Sequence, residues 1–456
     1  MVRILTLRDR RMLGGVLIFT SACLLITMLF SPNLNEPISF RGRRTGMTAV
    51  SEYGRLLRRN GTVHRRPMPS FRDNLWPDKK YITSWAAEGW ANEQIGFANL
   101  IWIGKLTDRI VILDGLQPQN WRMKGGDTLW FGDFFDLDYL SGKLGVPILE
   151  WRDVKDPRAE YVDSVGCWSS WSLTNDQHRP RGDLKSLDAF SLDVGYTRFP
   201  GWARLRDSDV SSNIFKIAQI DTYDGYRDST WNNVSFESTI SKKWMLPDQH
   251  LFCIDYLFCS SILHDWDAYD SPHAPSWRQI GQHMRWRADK VKLAQSYLRK
   301  AFGLRSSQPI PEFIAMHVRR TDFAHWCDQG VPLLDCLPQP HAFSRRVDEI
   351  QAEIYERHGK NVTHVLMVSD DPDPVLEWAQ KNGKDWRLVD HEVEKTSEVH
   401  GGWYPAGLDA IFLSMASGIV RTRTSTYSLV SAHRVETWND GPQRQVAWGR
   451  KNADDH

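Results

Sequence analysis

Between residues 80 and 440, short apolar runs alternate with stretches of helical spacing, and that alternation restricts the chain to few architectures. A short apolar run bounded by turn residues reads as a strand buried on both faces, and strands separated by helices return parallel to one another. The runs are Arg109–Leu113, Phe313–Val318, His364–Val368, Arg387–Val389 and Gly418–Arg421. Helical spacing recurs over Ile95–Lys105, Met284–Phe302, Pro374–Asn382, Leu408–Met415 and Thr426–Val435. The pattern predicts an α/β chain with parallel sheets in two doubly wound regions, 80–275 and 295–440. Residues 115–275 are loop-rich, with many Asp, Gly, Ser and Trp, and yield no firm assignment of elements.

Ahead of this body stands a different kind of sequence. Met12–Phe30 is 19 residues without a charge, about the length that crosses a bilayer core. It ends in Ser31-Pro32-Asn33, without the small-residue cleavage pattern of a secretory signal, so an anchor is expected and a cleaved signal is the alternative. Arg3, Arg8, Arg10 and Arg11 precede the run closely, which favours a cytoplasmic N-terminus and a lumenal body. Residues 1–72 hold 13 Arg and only Asp9, Glu36 and Glu52, whereas the remainder carries 44 basic and 53 acidic residues. The near-neutral total of 57 against 56 is therefore a basic leader on an acidic body, with no global field that would attract nucleic acid. The expected organisation is a cytoplasmic tail over 1–11, a membrane span over 12–30, a basic stem over 31–79, and two body domains over 80–294 and 295–456. Sequons at Asn60, Asn233 and Asn361 suit a lumenal body but are short motifs. In an oxidising compartment Cys327–Cys336 and Cys253–Cys259 are the closest candidate disulfides, leaving Cys167 over.

In parallel sheets, ligands bind beyond the carboxyl ends of strands. Phe313–Val318 is followed by Arg319, Arg320, Thr321 and Asp322. Two guanidinium groups at a strand end suit a diphosphate, because each offers a fixed fork of donors; a surface Arg–Asp pair is the plain alternative. After Gly418–Arg421 come Thr422 to Thr426, opening a helix, where hydroxyls and free backbone N–H groups form an anion site or an ordinary N-cap. There is no Walker A sequence, no G-x-S-x-G elbow and no H-E-x-x-H pair. D-x-D pairs occur at Asp136–Asp138, Asp207–Asp209, Asp265–Asp267 and Asp371–Asp373, a frequency that fits turns and helix caps better than a shared metal role.

His317-Val-Arg-Arg-Thr-Asp322, behind its apolar strand, resembles the H-x-R-R-x-D motif of the GDP-fucose-dependent fucosyltransferase superfamily, which includes protein O-fucosyltransferases and α1,6-fucosyltransferases. The stretch Asn92–Arg109 resembles that family's N-terminal loop, helix and strand. Leu408–Ser417 followed by Thr424–Ser428 resembles its Asp-bearing helix, strand and Ser/Thr turn, and Ser369-Asp-Asp-Pro372 is similar to the α1,6 branch. Where family members show Glu-Gly-Phe-Asn, this chain has Glu88-Gly-Trp-Ala-Asn92, one residue longer.

The resemblance implies a GT-B architecture of two Rossmann-like domains facing across a cleft, with GDP held by the C-terminal one. It implies that Arg319 meets the β-phosphate, that His317 and Arg320 support the nucleotide pocket, and that Asp409 accepts from the guanine edge. Ser425 and Thr426 would donate to the phosphates, Tyr427 would pack by the base, and Asn92 would face sugar and acceptor. Glu88 is the candidate general base, with Glu93 as the alternative. The expected activity is inverting, metal-free transfer of fucose from GDP-fucose to Ser or Thr of a secretory-pathway protein. A glycan acceptor through an α1,6 linkage, another GDP-sugar, and a non-catalytic GDP-sugar-binding protein of the lumen are the alternatives. No cofactor is expected; the partners are GDP-fucose, a glycoprotein or glycan acceptor, and the membrane of the Golgi or endoplasmic reticulum. Of the 21 Trp, most read as packing residues. Trp90, beside the candidate catalytic loop, is the one expected to meet a ligand.

Overall fold

The computed structural model describes residues 61–117, 127–175, 178–182, 184–206, 210–220, 235–269, 273–328 and 330–455. Met12–Phe30, most of the stem, Asn60, Asn233 and Asp207–Asp209 lie outside the described residues. Among the described residues no helix is long and apolar enough to cross a membrane. All described residues belong to one compact unit, 48–456.

Two sheets organise that unit. The first comprises β1 (Tyr81–Ser84), β2 (Ile110–Leu113), β3 (Ile148–Glu150), β4 (Asp163–Ser169), β5 (Leu192–Arg198), β6 (Ser235–Phe236) and β7 (Leu251–Ile254), in the order β3-β2-β1-β7-β4-β5-β6. Every pair is parallel except β5 with β6. The second comprises β8 (Phe313–Val318), β9 (His364–Ser369), β10 (Trp386–Leu388), β11 (Gly418–Thr422) and β12 (Gln443–Val446), all parallel, in the order β10-β9-β8-β11-β12. The helices used below are α1 (Trp90–Leu106), α2 (Ala288–Ala301), α3 (Pro340–His358), α4 (Asp373–Lys381), α5 (Tyr404–Ser414) and α6 (Thr426–Asn439). The expected parallel α/β class is present, with each expected strand and helix found within a few residues of its sequence pattern.

The region that the sequence left unassigned supplies five strands of the first sheet. Its strands carry Gly and polar residues where apolar ones were sought. Gly166 of β4 and Gly195 of β5 are cross-strand neighbours, and the segment 245–247 passes over both. A Cβ on Gly166 would sit 1.7 Å from the Leu246 carbonyl oxygen, so close backbone approach requires glycine there.

The largest apolar core joins both sheets. Trp90 and Phe135 stack at 5.9 Å, Phe135 and Trp286 at 4.5 Å, and the same cluster continues into Leu408 and Phe412 of α5. Trp90 is thus packed into that core, 2% exposed, with its indole N–H lacking a hydrogen-bond partner. The helix that begins at it turns its indole inward because the first turn of α1 packs against that core. Arg434 of α6 is buried among Phe135, Trp286 and Trp438 and donates to Gln94 Oε1 of α1 at 2.5 Å, tying the helices of the two sheets.

Two further expectations are corrected. The basic stem expected over 31–79 gives way to folded chain over 61–79: Phe71, Asn74 and Leu75 are buried, and Ser70 and Phe71 bond the Asp163 carboxylate, which also pairs with buried Lys155. The disulfides are Cys327–Cys336, as expected, and Cys167–Cys253, with Cys259 buried and free. β4 and β7 are neighbours, so residues 86 apart in sequence face each other with Cα atoms 4.6 Å apart; spacing along the chain carries no trace of that adjacency.

Candidate active site

β8 is the central strand of the second sheet, and its carboxyl end gathers the expected donor-side residues. Thr422, at the end of β11, accepts from the Arg319 backbone N–H and donates to the His317 carbonyl, both at 3.0 Å, which fixes the chain where it leaves the strand. On the other side, Asp370 at the end of β9 accepts the Arg320 and Thr321 backbone N–H groups at 2.8 and 3.1 Å.

The two arginines do different work. Arg320 is buried, donating to Asp371 at 3.1 Å and to the Pro338 carbonyl at 2.9 Å, so it braces the strand end. Arg319 grips Asp322 through Nε and Nη2, each at 2.7 Å, with Asp370 3.4 Å from Nε. Burial works against its charge, but the hydrogen bonds and charge of Asp322, then Asp370, outweigh burial and raise its pKa.

His317 is buried, and burial followed by the nearby Arg319 charge pushes its pKa down to about 3, so the imidazole is neutral. Its Nδ1 has no hydrogen-bond partner, an uncompensated cost for a buried polar atom unless a ligand supplies one. Tyr427 packs its ring 5.1 Å from the imidazole and donates its hydroxyl to the Ala406 carbonyl, so it joins α6 to α5. Ser425 precedes α6 and makes no capping bond with its side chain; Thr426 opens the helix, half-buried. Asp409 on α5 is bonded by His391 Nε2 at 3.0 Å, and burial raises its pKa against that partner.

The residues expected on the acceptor side lie on α1 and the loop before it. Ala91 and Ile95 of α1 cluster with Val430 of α6, with Tyr427 packed against them, so the first turn of α1 meets the start of α6. Asn92 is half-buried on that turn. Glu88, half-buried just before it, pairs with Arg181 at 2.6 Å, and the Arg181 guanidinium lies over Trp171 at 4.7 Å and Tyr256 at 5.0 Å. Glu93 is buried, its Oε1 accepting the backbone N–H groups of Ala87 and Glu88 at 2.8 and 2.7 Å, and burial pushes its pKa to about 8. With that oxygen committed to the backbone, Glu93 shapes the loop that presents Glu88.

No protein-family model matches the chain, and no curated protein does. The chain is similar to a crystal structure of POFUT1 in complex with GDP-fucose, with 12% identity, 81% of this chain and 98% of that chain covered, and a TM-score of 0.46. It is also similar to the fucosyltransferase NodZ from Bradyrhizobium, with 14% identity, 78% and 92% covered, and a TM-score of 0.40.

The described D-x-D pairs serve the fold. Asp136 caps a helix at Tyr139, Asp265 and Asp267 accept backbone N–H groups, and Asp371 holds Arg320. Among the described residues no cluster of three or more His, Cys, Asp or Glu is arranged to hold a metal. Sequence reasoning missed Arg181, which lies in the unassigned region, and His391. It quoted Asp370 within a motif without seeing that the carboxyl end of β9 sets it beside that of β8, although the strand-end rule applies to both.

Proposed function

We propose that the chain transfers fucose from GDP-fucose to a hydroxyl acceptor, with inversion and without a metal. The observation that carries this reading is the convergence of Arg319, buried neutral His317 with its unpartnered Nδ1, and the uncapped Ser425–Thr426 helix start at adjoining strand ends. Arg319 would release part of its hold on Asp322 to meet the β-phosphate, and the α6 N–H groups would take the remaining charge. Asp409 would accept from the guanine edge. Glu88 would take the acceptor proton as the new carbon–oxygen bond forms and the old one breaks toward GDP, with Asn92 positioning the reacting groups. Such one-step displacement inverts the anomeric carbon. The acceptor in this reading is Ser or Thr of a secretory-pathway protein, and the setting is a GT-B pair of domains lumenal to a type II anchor at Met12–Phe30 in the Golgi or endoplasmic reticulum. The bonds that Asp370 and Asp371, just beyond β9, make to Arg320 beyond β8 favour, as second reading, the α1,6 glycan branch that Ser369–Pro372 resembles.

The test is a donor screen on the full chain in detergent, using GDP-fucose, GDP-mannose and uridine-linked sugars with and without EDTA, read by nucleoside diphosphate release. GDP-fucose alone should be used, unaffected by EDTA. Metal-dependent use of a uridine donor overturns the reading, and a following peptide-versus-glycan screen separates the two acceptors.

A further inference from the structure

His391 has no step in the proposed transfer, yet it stands at the ligand-facing edge of the second sheet. It lies just past β10, which runs parallel to β9 and, through it, to β8. The carboxyl end of β10 therefore opens on the same side as Arg319 and Asp370. The imidazole is held firmly there. Its Nδ1 lies 3.0 Å from the hydroxyl of buried Thr396, which lies 3.2 Å from the Tyr297 hydroxyl of α2. Phe412 of α5 stacks parallel to the ring, with 6.2 Å between centroids and 6° between planes. The Thr396 backbone N–H donates to the His391 carbonyl at 2.9 Å and closes the loop. Nε2 is left to meet Asp409 Oδ1, at 3.0 Å. A carboxylate only accepts, so Nε2 carries a proton.

Asp409 keeps a second oxygen to offer. Among the described residues its Oδ2 accepts from no protein group, and the side chain is 21% exposed. Burial favours the protonated carboxyl, and the His391 hydrogen bond opposes it. Held ionised, Asp409 presents acceptors alone. Burial and then the Asp409 charge push the Tyr427 hydroxyl up, while the Arg319 charge pulls it down, so both groups lie near that hydroxyl. A ligand that spans them has an anionic end and an end rich in donors, as a nucleoside diphosphate has. Of the common bases, only guanine sets two donors side by side on its pairing edge, N1–H and the 2-amino group. Adenine, cytosine and uracil place an acceptor there, which a carboxylate repels. We infer that His391 is a positioning residue, which aims Asp409 at the base and so makes the site select guanine. The inference rests on the donor reading above and adds the group that gives that reading its base selectivity.

The test is nucleotide binding by the full chain in detergent, measured calorimetrically with GDP and with IDP, whose base lacks the 2-amino donor. The unaltered chain should bind GDP at least about tenfold more tightly than IDP. His391→Phe keeps a ring against Phe412 but no donor, and His391→Ala removes both. Each should bring the ratio to about two or below, because Asp409 is then neither aimed nor held ionised. His391→Gln places an N–H donor near the position of Nε2 and should recover a ratio of at least about fivefold. Lost packing alone would weaken both nucleotides alike and leave the ratio in place. Asp409→Asn separates the inference from the reading beneath it. A ratio lost in Asp409→Asn but kept in His391→Phe and His391→Ala overturns the role of His391 and leaves the donor reading standing. A ratio kept in Asp409→Asn, or absent from the unaltered chain, removes Asp409 from the base and overturns both.

Discussion

Arg319 holds Asp322 through two hydrogen bonds of 2.7 Å each, a carboxylate standing where the resemblance places a phosphate. A diphosphate must compete with that carboxylate, so the pair sets both the aim of the guanidinium and the cost of redirecting it. Arg319→Ala should lower kcat/KM for GDP-fucose by about a hundredfold or more, the range for removing a preorganised charge at a leaving group. Asp322→Asn should keep the fold but aim Arg319 less well, costing about tenfold in kcat. Steady-state kinetics with GDP-fucose decide this; a lower melting temperature with unchanged kcat in Asp322→Asn would reduce the pair to a fold staple.

Glu88 and Glu93 differ in what their oxygens are free to do. Glu93 is committed to two backbone N–H groups, whereas Glu88 is half-buried and meets Arg181. Glu88→Gln should therefore cut kcat by about 10²–10³ with little change in donor KM. Glu93→Ala should instead unpin the loop and destabilise the protein by about 2 kcal/mol, since buried N–H groups lose their acceptor. Denaturant titration and kinetics on the two variants separate the roles. Equal losses of kcat without a stability difference would remove the distinction.

Four of the five strands of the second sheet were legible from their patterns, and Phe313–Val318 is found with the bounds its pattern gives; β12, whose Gln443, Arg444 and Gln445 are polar, and the helix α3 were not foreseen. The first sheet was largely hidden, because Gly166 and Gly195 are there for a crossing segment and buried Asp163 and Asp193 hold backbone groups, so neither strand looks like one. At the site, strand-end logic located Arg319 and Ser425 from sequence. It could not tell that Arg320 would be buried as a brace, or that Trp90 would turn inward, since those depend on which helix packs over which strand. The pairing of Cys167 with Cys253 depends in the same way on strand order.

Buried carboxyls on α1 and just beyond β2 and β7 give the body a pH dependence of unusual sign. Burial pushes Glu93 to about 8, Asp114 to about 7 and Asp255 to about 6, against the backbone hydrogen bonds each accepts. A carboxyl whose folded pKa exceeds its unfolded one contributes stability that is full below the unfolded value and is lost as pH rises through the folded value. Stability from these groups should therefore fall as pH rises from about 4, near their unfolded values, to about 8. Glu93→Gln, neutral at every pH, should flatten the upper part of that fall. Urea midpoints across this range measure it, and a midpoint that rises with pH would contradict the assignment of these groups as buried acids.

Cys167–Cys253 closes a loop of 86 residues between neighbouring strands, and Cys259 stays buried as a thiol. Cross-linking two distant points restricts the unfolded chain, and a loop of this size contributes about 4.6 kcal/mol in the entropic account. Cys167→Ser combined with Cys253→Ser should thus lower stability by about 2–4 kcal/mol while sparing kcat, because neither residue is among the site residues. Burial pushes the Cys259 thiol up to about 12, so it should resist alkylation in the native protein and react once the chain is unfolded. Denaturant titration measures the stability loss, and non-reducing peptide mapping after alkylation checks the pairing and the free thiol: a Cys253–Cys259 peptide in place of Cys167–Cys253 would mean that β4 and β7 are not joined as described.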